Sequence, residues 1–484
     1  MSKSYPRRFE IIQNDGKTLK INVGELVNGI DKCYVKHFIN DDDLGNTREI
    51  AVPETLEYAV TESGKHTFSF FEHDPDVEFD ALSDGIDLNE DNDPIWEQDV
   101  FVIKHDSYRL SKDRIKALAK TYAPFIFMDA NERYLPATIN YLLNKDEAGG
   151  VKDNAINVNV TLKLPNTKDI KMSYNDLSDV LPYNGDNDSI LDTIGLSISK
   201  LLDNKTLRDA LEKRTGDSEN VTIYYSYIPN SAKRQQVIIN YHFLYAYDSK
   251  LEGEGKTKKT SHIFDRESIS IVFKWDESKQ DVESEPEYII YGAHLEGQTM
   301  GSVAKDENNP DKWKSLQKWN CGRVKVLWKD ASKIKGHPIV ALAQGSHAPY
   351  PAPGHYAVYL LKRLPMLVEP ADAGKVLVPE KFSNDKCRGH EIKESYTYKL
   401  KNFDLGTITS NSWNSILAYS GYIVDIIGLQ NARFPPFTKR ELEVDKWVNG
   451  DEDDVIYEWI PAKVEKNTKD KFAKLLDSIN VKLS

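Results

Sequence analysis

The residues best suited to chemistry lie at the centre of the chain. Tyr241-His242-Phe243-Leu244-Tyr245-Ala246-Tyr247-Asp248 is followed, after one polar loop, by His262-Ile263-Phe264-Asp265-Arg266-Glu267 and a β-branched run. If Asp265 and Glu267 share one extended segment, both side chains leave the same face, because side chains alternate along a strand. Two like charges held that close call for a cation or a shared proton.

Two further histidines sit where a side chain can act. His294 ends the run Tyr288-Ile289-Ile290-Tyr291-Gly292-Ala293, a strand terminus from which an imidazole of ordinary pKa can transfer protons; its structural alternative is a capped, hydrogen-bonded ring. His347 lies in Gly345-Ser346-His347-Ala348-Pro349-Tyr350-Pro351, where glycine and proline fix a turn and so one ring orientation. The same turn could use His347 only to satisfy buried carbonyls. Ser346 makes a poor partner for it, since neighbouring residues point apart. His242 reads as a core residue of an aromatic strand, and His337 and His355 carry weaker signals. Glu132-Arg133-Tyr134 reads as an Arg–carboxylate brace. Tyr241, Phe243, Tyr245 and Tyr247 alternate on one face, the pattern of packing. Neither a phosphate loop, a dinucleotide-binding glycine turn nor a serine-hydrolase elbow is present.

These groups need a scaffold, and the spacing predicts one that is mainly β. Phe9-Glu10-Ile11-Ile12 and Leu19-Lys20-Ile21-Asn22-Val23 flank Asn14-Asp15-Gly16, a hairpin signal that opens a β-rich module over 1–73. An acidic linker over 74–108 follows. Its Asp87, Asn89, Asp91 and Asp93 alternate like part of a calcium loop, but the glycine and the terminal Glu are out of place, which favours a solvated charge run. Ser111 to Thr121 reads as a short amphipathic helix leading into an extended Tyr122–Phe127. A helical insertion is expected over about 144–235, with Asp188 capping a helix over Ser189–Arg214. Strands then return at Val237–Leu244, Ile269–Trp275, Tyr288–Ala293, Val324–Trp328 and Ile339–Ala343. Short strands at close spacing predict an antiparallel sandwich or barrel; an antiparallel β-sandwich core is the expectation over 109–440, with an acidic, helical tail over 441–484.

Composition narrows the function classes. The chain has 484 residues and a formal net charge of -13, which argues against nucleic acid as a partner. From Asp74 to Asp99 there are eleven acidic and no basic residues, so much of the imbalance is local. The three cysteines, Cys33, Cys321 and Cys387, fit neither a disulfide scaffold nor a zinc cluster and suggest a reducing compartment. The start has no apolar segment of a secretory signal, and no apolar run approaches the roughly 18 residues of a membrane span. Synthesis in the cytoplasm is expected, with release by lysis or injection compatible with it.

The motifs also carry a resemblance. Tyr122-Ala-Pro, Glu132-Arg133-Tyr134-Leu135-Pro136, the aromatic strand ending at Asp248, Phe264-Asp265-Arg266-Glu267, His294, and Gln344-Gly-Ser-His347-Ala-Pro-Tyr350-Pro-Ala-Pro-Gly354 follow the motif order of vacuolar protein sorting-associated protein 62-like proteins. Tyr419-Ser-Gly-Tyr422 and Phe434-Pro-Pro-Phe437 resemble the closing segment of that family. A more distant likeness is to the necrosis- and ethylene-inducing-peptide-like cytolysins, β-sandwiches with a bound divalent cation. That likeness implies Asp248, His262, Asp265 and Glu267 as a metal shell. The donors suit Ca²⁺ or Mg²⁺, and one imidazole among carboxylates also permits Mn²⁺ or Zn²⁺. The sequence departs at Arg266, where both families have tryptophan, and at Ser268, where the sorting-like family has histidine. The Ser249–Ser261 loop is longer than in the cytolysins, and its Lys256, Lys258 and Lys259 read as a polar surface connection.

Three functions follow as expectations. One is metal-assisted recognition of an anionic or polyhydroxylated headgroup or glycan, with toxin-like or membrane-associating behaviour. The second is a metal-dependent hydrolase of phosphoester or glycosidic bonds, with His294 or His347 moving the proton. The third is a structural or trafficking component without chemistry.

Overall fold

The computed structural model describes residues 9–14, 18–23, 32–39, 42–61, 64–72, 96–102, 110–145, 150–152, 156–162, 170–173, 205–229, 236–249, 262–292, 299–318, 323–359, 367–382, 392–402, 457–458 and 466–483. The chain is mainly β and forms two compact units, one of residues 1–109, 143–210 and 404–445, the other of residues 110–142, 211–403 and 446–484.

In the first unit, the expected hairpin is the antiparallel pair Phe9–Asn14 and Thr18–Val23, extended by Glu54–Ala59 to three strands. Leu19, Ile21, Val23 and Leu56 are fully buried, so the alternation read in the sequence is the core face. A four-stranded sheet runs Asp42–Ala51, Lys32–Ile39, Gly64–Glu72 and Trp96–Val102. The last strand lies where the sequence reading extended the acidic linker. Tyr58 joins the two sheets, its ring 4.7 Å from His37 and 5.2 Å from Phe68. Asp87, Asn89, Asp91 and Asp93 lie outside the described residues, as does most of the expected Ser189–Arg214 helix, of which Lys205–Glu212 is described.

The second unit is organised around a 13-stranded sheet. Its central antiparallel run is Thr222–Pro229, Gln236–Asp248, His262–Asp276, Tyr288–Gly292 and Arg323–Leu327. The expected antiparallel pairing holds for this run, and beside it four pairings among the described strands are parallel. Phe125–Met128 runs parallel to His337–Leu342, and Lys375–Pro379 parallel to Glu394–Asn402. Parallel partners require long crossovers, and these are supplied by segments far apart in sequence. The sheet curls back on itself: Tyr291 Oη donates to the Ile339 carbonyl at 2.9 Å from several strands away in the sheet order.

Helices cover part of this framework. Lys112–Thr121 is the expected helix, capped by Ser111, whose Oγ accepts from Arg114 N at 3.2 Å. The tail helix Lys466–Leu483 presents Phe472, Leu475 and Ile479 to Phe125, Phe127, Ile339, Val376 and Val378. Their spacing of three and four residues is one helical stripe. The segment Tyr457–Glu458 pairs in parallel with Val324 and Lys325, so part of the tail belongs to the main sheet.

Candidate functional site

Asp265 and Glu267 sit two positions apart on His262–Asp276, opposite Tyr245 and Phe243 of the neighbouring strand. Directly paired residues share a face, so Asp265, Glu267, Tyr245 and Phe243 project together. Asp248 pairs with His262 in the same unbroken register. Those two positions belong to the alternate set, with Leu244 and Arg266. A three-residue offset in a period of two therefore separates Asp248 from Asp265, and the expected four-residue shell is not one regular face. Asp248 is buried and ends its strand; the next residue turns toward the Gly345 loop, with Ser249 N donating to Gly345 O at 3.1 Å. The side chain of His262 and the whole of His294 lie outside the described residues.

Asp265 meets His347 instead. His347 Nδ1 donates to Asp265 Oδ2 at 2.7 Å, and Nε2 lies 3.4 Å from Glu132 Oε1, an ion-pair distance without hydrogen-bond geometry. The imidazole is fully buried, with Glu132 2% and Asp265 8% exposed. Tyr245 stacks on the imidazole, centroids 3.7 Å apart and planes within 8°, while Tyr134 meets it edge-on at 6.1 Å.

The backbone explains how His347 reaches this place. The loop Ala343–Ala348 closes with His347 N donating to Ala343 O and Ala343 N donating to Ala348 O, both at 3.0 Å. Gly345 at φ +79° and His347 at φ +53° adopt the left-handed region. For histidine that conformation costs roughly 1 kcal/mol, and the surrounding contacts must outweigh it. Glu132 holds the same loop from the other side. Its Oε2 accepts from Gly345 N at 2.6 Å and its Oε1 from Tyr134 N at 2.8 Å. The expected Arg–carboxylate brace is thus corrected: Arg133 is exposed, its guanidinium 5.8 Å from the Tyr134 ring, while Glu132 turns inward. Residues i and i+1 of an extended segment point apart, a signal that was present in the sequence.

Electrostatics follow from this enclosure. Burial alone would push the His347 imidazole down, but Glu132 and Asp265 outweigh it and raise its pKa to about 10. Burial pushes Glu132 up, yet His347 and the two backbone amides bring it below its ordinary value. His347 is therefore an imidazolium at neutral pH, with both nitrogens facing carboxylates. Tyr245 ionises only well above its ordinary value, chiefly through burial and further through Glu132, Asp265 and Glu267. Its hydroxyl is buried among those acids and makes no hydrogen bond to a described group. The acidic surroundings continue to Tyr350, whose hydroxyl donates to Glu369 Oε2 at 3.0 Å.

Two further described histidines, His242 and His337, have structural hydrogen bonds. His242 is buried with Nε2 2.9 Å from Ser226 Oγ, and His337 Nδ1 donates to Ala123 O at 2.6 Å, with burial lowering its pKa to about 4. Arg266 and Ser268 are also buried, on the alternate set of positions to Asp265.

As donors, Glu132, Asp265 and Glu267 suit a hard cation, and the orphaned Tyr245 hydroxyl adds an uncharged oxygen among them. Their present directions are set by His347, which stands between Glu132 and Asp265. Among the described residues no three His, Cys, Asp or Glu side chains converge on one metal position. Comparison with protein-family models and with curated proteins gave no match. Among the described residues, no helix is long and apolar enough to cross a membrane.

Proposed function

We propose that the chain is a recognition protein that holds a divalent cation at the Asp265–Glu267 face and uses it to bind an anionic or polyhydroxylated headgroup or glycan. The observation that carries this reading is the Tyr245 hydroxyl, buried beside Glu132, Asp265 and Glu267 with no hydrogen-bond partner among the described residues, on the face where Asp265 and Glu267 project together. A buried hydroxyl oxygen left without a partner is expensive, and a bound cation would satisfy it. Asp265 and Glu267 would supply carboxylate oxygens, and an open coordination position would take a phosphate, carboxylate or vicinal hydroxyl pair. The resemblance to divalent-cation cytolysins points the same way and makes Ca²⁺ or Mg²⁺ the first cations to try; membrane association would follow from headgroup binding.

Recognition is preferred over hydrolysis through His347 because both of its nitrogens face carboxylates that hold it protonated. A base must be unprotonated at working pH, and an imidazole with pKa near 10 between two carboxylates is not. A second reading rests on the complete burial of His347: the Glu132–His347–Asp265 cluster joins three segments and carries no ligand.

Elemental analysis of purified wild type and Asp265→Asn decides between them. Wild type should carry about one Ca²⁺ or Mg²⁺ per chain and the variant far less; equal content in both would remove the metal reading. Liposome and glycan binding that is lost in chelator, without turnover of phosphoester or glycoside substrates, would support recognition over hydrolysis.

A further inference from the structure

A second surface lies on another part of the same unit, the sheet formed by Asn309–Ser315, Thr299–Asp306, Gly354–Tyr359 and Leu367–Ala371. Register sorts its residues into two faces. Met300, Tyr356 and Val358 are buried on one, where Tyr356 stacks on Tyr350 at 3.6 Å. On the other, Lys305 pairs with Trp313 and Val303 with His355. Tyr359 lies four residues beyond His355 on its strand, which returns it to the same face, about 13 Å away.

Half-buried rings carrying cations lie along this outer face on either side of a covered stretch, where Ala357 is buried and the Gln317 carbonyl lies against Gly301. Lys305 Nζ sits 4.1 Å from the Trp313 ring centre, and the His355 ring packs on the indole at 4.9 Å. Lys318 Nζ sits 4.7 Å from the Tyr359 ring centre. Trp313, His355 and Tyr359 are partly exposed, and Lys305 and Lys318 are exposed. The nearby acids Asp306, Glu307 and Asp311 belong to the hairpin tip, where Asp306 Oδ1 accepts from Asn308 N at 2.9 Å and so serves the turn. The rings thus keep their lysines while the acids gather at one end.

From this arrangement we infer that the outer face of the sheet binds an acidic polysaccharide, independently of the Asp265 site. Ring faces suit the C–H faces of pyranoses, and ammonium groups held over those rings by weak, exposed cation–π contacts can swing to carboxylate or sulfate. A polynucleotide would also meet rings and lysines, but its dense phosphates need a far more basic surface than two lysines on a chain of net charge -13 provide.

The test is binding of the full-length chain, in chelator, to polygalacturonate, with dextran and a single-stranded oligothymidylate as comparisons. Wild type should bind polygalacturonate, and Trp313→Ala, folded by circular dichroism, should bind at least tenfold more weakly. Lys305→Gln with Lys318→Gln should bring polygalacturonate binding down to the dextran level. Asp265→Asn should bind as wild type does, so this site and the cation site fail separately. Absence of binding by wild type, equal binding by Trp313→Ala, or oligothymidylate bound as tightly as polygalacturonate would overturn the inference.

Discussion

Tyr245 lies flat against His347, ring centroids 3.7 Å apart, with its hydroxyl buried and without a hydrogen-bond partner among the described residues. The ring supports the imidazolium while the hydroxyl is stranded among carboxylates. Tyr245→Phe should therefore leave stability unchanged or raise it by up to about 1 kcal/mol, since an unmade buried hydrogen bond is a liability. Tyr245→Ala should lower it by about 3–5 kcal/mol through cavity formation. Urea unfolding of the two variants checks the contrast, and a large loss in Tyr245→Phe would mean that the hydroxyl has a partner.

Removing the imidazolium strands two acids. His347→Ala should destabilise the second unit by about 3–5 kcal/mol, because Glu132 and Asp265 lose their shared countercharge. Adding Glu132→Gln to His347→Ala should recover part of that loss. A double-mutant cycle measured by denaturant unfolding gives the coupling.

Stability should also depend on alkaline pH. The folded His347 pKa of about 10 lies above the ordinary imidazole value. Its contribution is then complete below about pH 6.5 and is lost as pH rises through 10, with a slope of at most about 1.4 kcal/mol per pH unit. Glu132 is lowered, so its contribution is present above the ordinary carboxylate range and disappears as pH falls below it. Chemical unfolding in chelator from about pH 2 to pH 10 should show both flanks, and the alkaline one should flatten in His347→Gln.

Glu132 is also positioned from behind. A Cβ on Gly374 would meet Ala130 N at 2.5 Å and Ala130 Cβ at 2.3 Å, and Lys375 Nζ donates to the Glu132 carbonyl at 2.8 Å. Gly374→Ala should cost about 1–3 kcal/mol by overpacking and displace the turn that carries Glu132. Thermal unfolding would register the cost, and a weaker His347–Glu132 coupling in the cycle above would register the displacement.

What the sequence disclosed was local. The two-residue period put Asp265 and Glu267 on one face, Ser111 announced the first helix of the second unit, and the β-branched runs marked the central strands. The cluster itself was not legible, because Asp265 and His347 are separated by 82 positions and Glu132 and Gly345 by 213. Contacts at that separation are set by which strands become neighbours, and the parallel pairings show that chain order did not reveal this. Glu132 was hidden by its neighbour Arg133, since a charge pair adjacent in sequence suggests an ion pair that extended backbone geometry disfavours.

The helix Lys466–Leu483 carries a consequence for biosynthesis. Phe125 and Phe127 leave the ribosome about two hundred residues or more before their strand partners His337–Leu342 and Lys375–Pro379, and the Phe472–Leu475–Ile479 stripe comes later still. The second unit therefore cannot close cotranslationally in chain order. Its aromatic strand is made long before the residues that shelter it in the folded unit.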